Sequence, residues 1–374
     1  MSQINVSNLS NENEDGAPNL VGISTFSATS YIVPPVGTTA QRPENPQGGE
    51  LRFNTDTASL EYFRGDTLNW TQIEMTSPDL DGGARGLFAG GNTPGLSDVV
   101  DYITISTFGD AIDFGNLQAG KQRMGVTSDS TRLVTGGGYT TNFENEMDFF
   151  TMSSLGNATD FGNLTRSNNR ITAFADSTRG VWAGGNPSTN VMDYVTIQST
   201  GDAKDFGDLT VAGRQSVGGA SSSTRGLIFG GLSGSDPYTY HNIIDFVTIA
   251  STGNAADFGD LTTIIMTGSA CANSTRALYC GGYSTPGNPI NNIEYVTIAT
   301  KGNASDFGDG TLARKDGASL ASKTRGITAG GSNPTLQNRI DSMEIATTGD
   351  ALDFGDLSVT RTSVSGSSNA HGGL

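Results

Sequence analysis

The chain repeats itself. The segment DYVTIQSTGDAKDFGDL (Asp193–Leu209) returns as DFVTIASTGNAADFGDL (Asp245–Leu261) and EYVTIATKGNASDFGDG (Glu294–Gly310), and weaker copies begin at Asp101, Asp148 and Asp341. The Asp of each DFG tripeptide stands at Asp113, Asp160, Asp205, Asp257, Asp306 and Asp353, at intervals of 47, 45, 52, 49 and 47 residues. A second marker precedes every copy: an Arg leading a short run into a Gly-Gly pair, at Arg85, Arg132, Arg179, Arg225, Arg276 and Arg325. Such a period marks a repeat architecture, in which each unit buries its apolar face against its neighbour.

Each unit reads as four short strands. In the fourth unit these are predicted at Gln215–Ser221, Arg225–Phe229, Ile243–Ile249 and Ala256–Leu261, separated by Gly, Ser, Asn and Asp. Spacing of under about a dozen residues with such turn chemistry indicates antiparallel meanders. The chain carries 51 Gly without a Gly-X-Y period, which fits many tight turns. Helical periodicity is absent, so stacked helical repeats are excluded. Four strands in about 47 residues match a propeller blade.

The segment SVSGSSNAHGGL (Ser363–Leu374) aligns with the start of a unit, SVGGASSSTRGL (Ser216–Leu227), while the unit around Arg85 lacks a first strand of its own. A C-terminal strand added to that first blade would remove two open sheet edges. The expected fold is therefore all-β: a six-bladed β-propeller of four-stranded blades over residues 77–374, its first blade completed by the C-terminal strand.

Ahead of it, residues 1–40 read as an extended, partly disordered attachment segment, and 41–76 as a small β-meander. Leu51 and Phe53 alternate with Arg52, and Leu60 and Tyr62 with Glu61, across the polar turn NTDTAS; Trp70–Ile73 supply a third strand. So small a sheet cannot bury its apolar face alone, so it is expected to pack on the propeller or on copies of itself.

The formal net charge is −17 and the pI about 4.4, which repels phosphate backbones and sets nucleic acid aside as a partner. The N-terminal residues have neither the basic nor the apolar part of a signal peptide, and no apolar run approaches the roughly 20 residues of a membrane helix. Membrane insertion is not expected. Cys271 and Cys280 have too few neighbouring ligands for zinc and are read as free thiols. Two histidines, His241 and His371, and no nucleophile-elbow sequence give no basis for catalysis. The repeated DFGD and DFGN turns hold no Asp-x-Asp-x-Asp loop, so calcium is set aside and no cofactor is expected.

Two constellations remain. Arg85, Arg132, Arg179, Arg225, Arg276 and Arg325 lie at fixed offsets from Asp101, Asp148, Asp193, Asp245, Glu294 and Asp341. They are expected to form one bidentate, partly buried Arg–carboxylate pair per blade, a structural charge ladder. The loops after the Gly pairs vary most. Those of the fourth and fifth units carry Tyr238, Tyr240, His241 and Tyr283, candidate contacts for a host surface glycan.

The Gly-Gly pair closing each second strand resembles the kelch-like propellers over Ala84–Leu374. The following aromatic is present (Tyr102, Phe149, Tyr194, Phe246, Tyr295), but the usual Trp is not. The run AQRPENPQGGELRFNTDTASLEYFRGDTLNW, within Pro34–Ile73, resembles a short β-motif of virion structural proteins and tail fibres of tailed phages, particularly those of marine cyanobacteria. That resemblance implies a non-enzymatic fibre or decoration protein of a virion assembled in the host cytoplasm. It further implies attachment to other virion proteins through the N-terminal region and a homotrimer. A receptor-binding module recognising host glycans is the alternative.

Overall fold

The structure, a computed structural model, describes residues 34–57, 59–65, 68–73, 84–187, 189–235, 237–285 and 287–374. The expected disorder of the first residues and the start of the repeat region at 77 lie outside them. The chain divides into two compact units, Met1–Ser77 and Pro78–Leu374.

In the first unit the alternating residues form the expected strands Leu51–Asn54, Ser59–Gly65 and Leu68–Ile73, with Val36–Gly37 added in parallel to the first of them. The register pairs Arg52 with Glu61 and Leu51 with Tyr62, so one face is charged and the other apolar. The charged face is the covered one. Glu61 and Asn54 are fully buried beneath Thr38–Arg42, where Arg42 grips Glu61, Arg52 donates to the Thr38 carbonyl (2.9 Å) and Asn54 to Thr39 Oγ1 (3.0 Å). The Arg42 hydrogen bond holds the Glu61 carboxyl below its ordinary pKa. On the opposite face Leu51 is exposed and Phe53, Leu60 and Tyr62 only half-buried.

The second unit is all-β and propeller-like: six antiparallel sheets, one per repeat, five of four strands and one of five, with no α-helix among the described residues. We number them I to VI. Sheet I joins Ser365–Ser368 to Arg85–Ala89, Val99–Thr104 and Ile112–Asn116. Sheet II holds Gly125–Ser128, Arg132–Gly136, Glu144–Thr151 and Thr159–Asn168, and sheet III Thr172–Ala175, Arg179–Ala183, Val191–Thr196 and Lys204–Asp208. Sheets IV and VI start at Gly218–Ser221 and Ala318–Ala321, and sheet V at Ser269–Ala272 preceded by an extra short strand, Ile265–Met266. In sheet IV the second strand is Arg225–Phe229 as predicted, and the other two are Ile243–Thr248 and Ala256–Asp260. The first strand begins three residues later than predicted, because Ser216 takes φ 57°, a left-handed conformation that no strand continues.

Successive sheets are held face to face by apolar layers. Leu87, Val100, Phe114, Met124, Leu133 and Phe150 fill the space between sheets I and II, and Phe88, Ile103, Leu320, Ile327 and Phe354 that between VI and I. The DFG tripeptide serves this contact. Its Phe is buried in the layer, whereas its Gly lets the next sheet approach: a Cβ on Gly115 would collide with the Gly156 carbonyl oxygen. Gly156 N–H donates to Phe114 O (3.0 Å) and Ala158 N–H to Asn116 O (2.8 Å), strapping sheet II to the fourth strand of sheet I. The same pairing recurs from Gly162 with Gly201 through Gly355 with Gly109, the last joining VI to I.

The charge ladder is not formed as expected. The register sets Arg85 opposite Thr104 and Phe88 opposite Asp101, so Arg and acid sit three residues apart and point to opposite faces. The same offset holds in every sheet, separating Arg132 from Asp148, Arg179 from Asp193, Arg225 from Asp245, Arg276 from Glu294 and Arg325 from Asp341. Each Arg instead lies over an aromatic ring, 4.2–5.2 Å from its centroid: Tyr102, Phe149, Tyr194, Phe246, Tyr295 and, for Arg325, Phe108. It donates onward to a carbonyl of the next sheet. Arg85 reaches Met152 O (2.9 Å), Arg179 reaches Ile249 O (2.8 Å) and Arg325 reaches Ile105 O (2.7 Å).

Candidate functional site

The six acids have other partners. Fully buried Asp101 pairs with fully buried Arg361 (2.8 Å), Asp148 with Lys121 (3.2 Å), Asp245 with Arg214 (3.1 Å) and Asp341 with Arg314. Asp193 and Glu294 face repeats whose equivalent residues are Asn168 and Ile265. They accept instead from the hydroxyls of Thr165 (2.7 Å) and Thr262 (2.6 Å). Burial raises the Asp193 carboxyl above its ordinary pKa, and desolvation outweighs Lys121 in doing the same to Asp148. A hydroxyl directly after DFGDL (Thr210, Thr262, Ser358) is the sequence signal for these acceptors, and sequence reasoning passed over it.

Two residues beyond each of these basic or substituted positions, the backbone enters the first strand of a sheet through a left-handed residue. These are Arg123, Arg170, Ser216, Thr267, Asp316 and Ser363, with φ between 55° and 57°. Non-glycine residues adopt this conformation at a cost of roughly 1–2 kcal/mol each. A chain of backbone hydrogen bonds offsets it. Arg170 N–H donates to Arg123 O (2.9 Å), Ser216 to Arg170 O (3.0 Å), Thr267 to Ser216 O (3.0 Å), Asp316 to Thr267 O (2.9 Å), Ser363 to Asp316 O (2.7 Å) and Arg123 to Ser363 O (3.1 Å), which returns to the start.

These six residues frame a cavity of about 120 Å³, walled below by the start of the first strands and by the residues that lead into them, including Ile171, Val217 and Val364. Their side chains are not alike. Arg123 Nε lies 3.4 Å from Ser363 Oγ, and Arg170 Nη1 donates to Gln215 Oε1 (3.2 Å). The Asp316 carboxylate has no hydrogen bond or ion pair among the described residues, and the buried Thr267 Oγ1 has none either. Burial pushes the Asp316 carboxyl up, against the pull of Arg123, Lys315 and Arg170; burial and the neighbouring Arg170 push the Arg123 guanidinium down.

The glycan candidates lie on loops that the β-bridge Gln215–Leu232 and the pairing of Ile265–Met266 with Tyr283–Ser284 place at this same end of the unit. Tyr238 is exposed. Tyr240 pairs with Leu232 in a short hairpin, and His241 Nε2 lies 2.7 Å from Ser233 Oγ, burial lowering its pKa. Tyr283 sits in the long hairpin of sheet V, with the Lys315 ammonium 4.8 Å from its ring centroid. No ring contact, hydrogen bond or ion pair joins Tyr283 to the other three among the described residues. At the opposite end, His371 donates from Nε2 to Ser128 O (2.7 Å) and Gly372 N–H to Ala272 O (2.8 Å), so residues 371–374 lie across the cavity's other side. Cys271 and Cys280 are buried and free, and the neighbouring Cys280 thiol together with burial pushes Cys271 up. Among the described residues no three His, Cys, Asp or Glu side chains are grouped to hold a metal ion.

The fold and site together define a class: an all-β repeat protein whose buried ion pairs lie within its sheets, with a polar cavity where the first strands meet. No protein-family model and no curated protein matches this sequence.

Proposed function

We propose that the six sheets are the blades of one closed, kelch-like six-bladed propeller, and that the protein is a non-enzymatic structural component of a phage particle, a fibre or decoration protein. Three sets of contacts support closure, each running sheet to sheet and from VI back to I: the left-handed backbone residues, the Arg-to-carbonyl bonds and the Gly–Gly approaches. The first set carries the reading, because six donors and six acceptors satisfied in a cycle leave no sheet at an end. The structural role is supported by the use of charge. Buried cations such as Arg214 and Arg361 go into ion pairs with buried acids, and His371 goes into a backbone contact, a use of charge that suits a structural role.

The attachment role rests on the resemblance of Pro34–Ile73 to virion β-motifs and on the part-exposed apolar face of its sheet. Leu51, Phe53, Leu60 and Tyr62 suit docking onto a virion protein or onto sister chains in a trimer. Imaging of particles with and without the protein, with light scattering of the full chain, tests this. Density for a six-lobed ring on the particle and a trimeric mass are expected; a soluble monomer absent from particles would refute it. A second reading, a receptor module for host glycans, is favoured by the gathering of the variable loops at the cavity end. Glycan-array binding by the full chain separates the two.

A further inference from the structure

The ring of left-handed residues is where the sixfold repeat breaks. The markers that build the sheets recur from unit to unit, yet this position reads Arg, Arg, Ser, Thr, Asp and Ser around the cycle. The backbone is the same at all six, with φ differing by no more than 2°, so the conformation does not dictate the differences. Glycine is the residue that meets this conformation without strain.

Arg123 and Arg170 each spend one donor, on Ser363 and Gln215, and the rest of the chemistry at these positions is unspent. The buried acids of the sheets each have a cation or a hydroxyl, but Asp316 has neither, and Thr267 Oγ1 is buried without a partner. Arg123 and Arg170, on neighbouring sheets, are close enough to act on one another electrostatically, and both act on Asp316. Two guanidiniums on one side, a carboxylate across the cycle and hydroxyls between them make a dipolar lining. Paired guanidiniums suit a carboxylate, which they can grip with parallel N–H bonds. The free Asp316 requires a donor on the ligand's other side.

We propose that this cavity binds a small carboxylate that also carries hydrogen-bond donors, with Arg123 and Arg170 on its carboxylate and Asp316 and Thr267 on its hydroxyl or ammonium groups. A uronic acid and an α-amino acid share that chemistry. The inference rests on the cavity alone and holds whether or not the protein is displayed on a particle.

Calorimetric titration of the full chain with glucuronate, glucose, glycine and acetate tests it. Glucuronate or glycine binds, and which of them does identifies the source; glucose does not bind. Arg170→Gln weakens every carboxylate by roughly 10–100-fold, the range for a lost hydrogen bond to a charged group. Asp316→Asn weakens the donor-bearing ligand by a similar factor and leaves acetate within about twofold. Asn tolerates the left-handed backbone, so this variant keeps the fold. Methyl NMR of the unaltered protein provides a readout free of mutation: the signals of Ile171, Val217, Val364 and Thr267 shift on titration. Absence of binding by both glucuronate and glycine, shifts confined to other methyls, or equal binding by parent and both variants would each overturn the proposal.

Discussion

Arg361 is the most informative residue to remove. Its guanidinium is fully buried and donates to Asp101 Oδ2 (2.8 Å) and to the carbonyls of Val99 (2.7 Å), Gly90 (3.1 Å) and Phe88 (3.2 Å). Arg361→Ala leaves the equally buried Asp101 with only Ser358, which bonds it through N–H (3.1 Å) and Oγ (2.7 Å), and strips three carbonyls of this donor. Breaking one side of a buried ion pair costs about 3–5 kcal/mol. Unfolding a unit the size of Pro78–Leu374 carries an entropy of about 0.6 kcal/mol/K, so Tm should fall by about 5–8 °C. The control is Arg179→Ala. That side chain is half-buried and loses one carbonyl bond and a ring contact, about 1–2 kcal/mol. Calorimetry on both variants decides. The reasoning is refuted if Arg361→Ala melts within about 1 °C of the parent, or if Arg179→Ala is the more damaging. Arg361→Met combined with Asp101→Leu should recover most of the loss, because the stranded charge goes with its partner.

Gly115→Ala should cost about 1–3 kcal/mol in denaturant melts, since its Cβ meets backbone of the neighbouring sheet, whereas Gly95→Ala, with open space around it, should stay within about 0.5 kcal/mol. Asp316→Asn should stabilise the protein at neutral pH. Burial raises the folded-state pKa of Asp316, so its penalty exists above that pKa and disappears as pH falls toward the unfolded value; melts across pH should show the variant's advantage shrinking on acidification, and a constant or growing advantage contradicts this. Deleting Thr362–Leu374 removes the first strand of sheet I and both ring bonds of Ser363, so aggregation or a large drop in Tm is expected; a parent-like melt would mean those contacts are dispensable. The fragment Asp81–Leu374 is expected to be a monomer in light scattering, with association confined to chains that retain Leu51–Ile73.

The strands were legible because each carries its own local signal: a β-rich run stopped by a Gly pair, or Phe and Gly where two sheets touch. The pairing of Ser365–Ser368 with Arg85–Ala89 was legible for the same reason, as a half-unit at one end matching a missing strand at the other. The partners of the charged residues were not. Arg85 and Asp101 look adjacent along the repeat, but an odd register offset sends them to opposite faces, and register is a property of the paired strands. Arg361 and Arg214 gave no signal because the repeat replaces them with Asn168 and Ile265 in two units. The cavity residues were hidden most thoroughly. Left-handed backbone ordinarily announces itself as Gly or Asn, and here it is occupied by Arg, Ser, Thr and Asp.

Sheet I draws its strands from residues 85–116 and from 365–368. On a ribosome adding about 5–20 residues per second, its three early strands wait about 12–50 s for the fourth. Throughout that interval Arg85–Ala89 presents an unpaired edge, one of its residues Phe88, whose layer also needs the late-arriving sheet VI. Within the repeat unit, the first strands made are thus the last to be completed. There the nascent chain is most exposed to chaperones and to wrong strand partners at its older end rather than its newest.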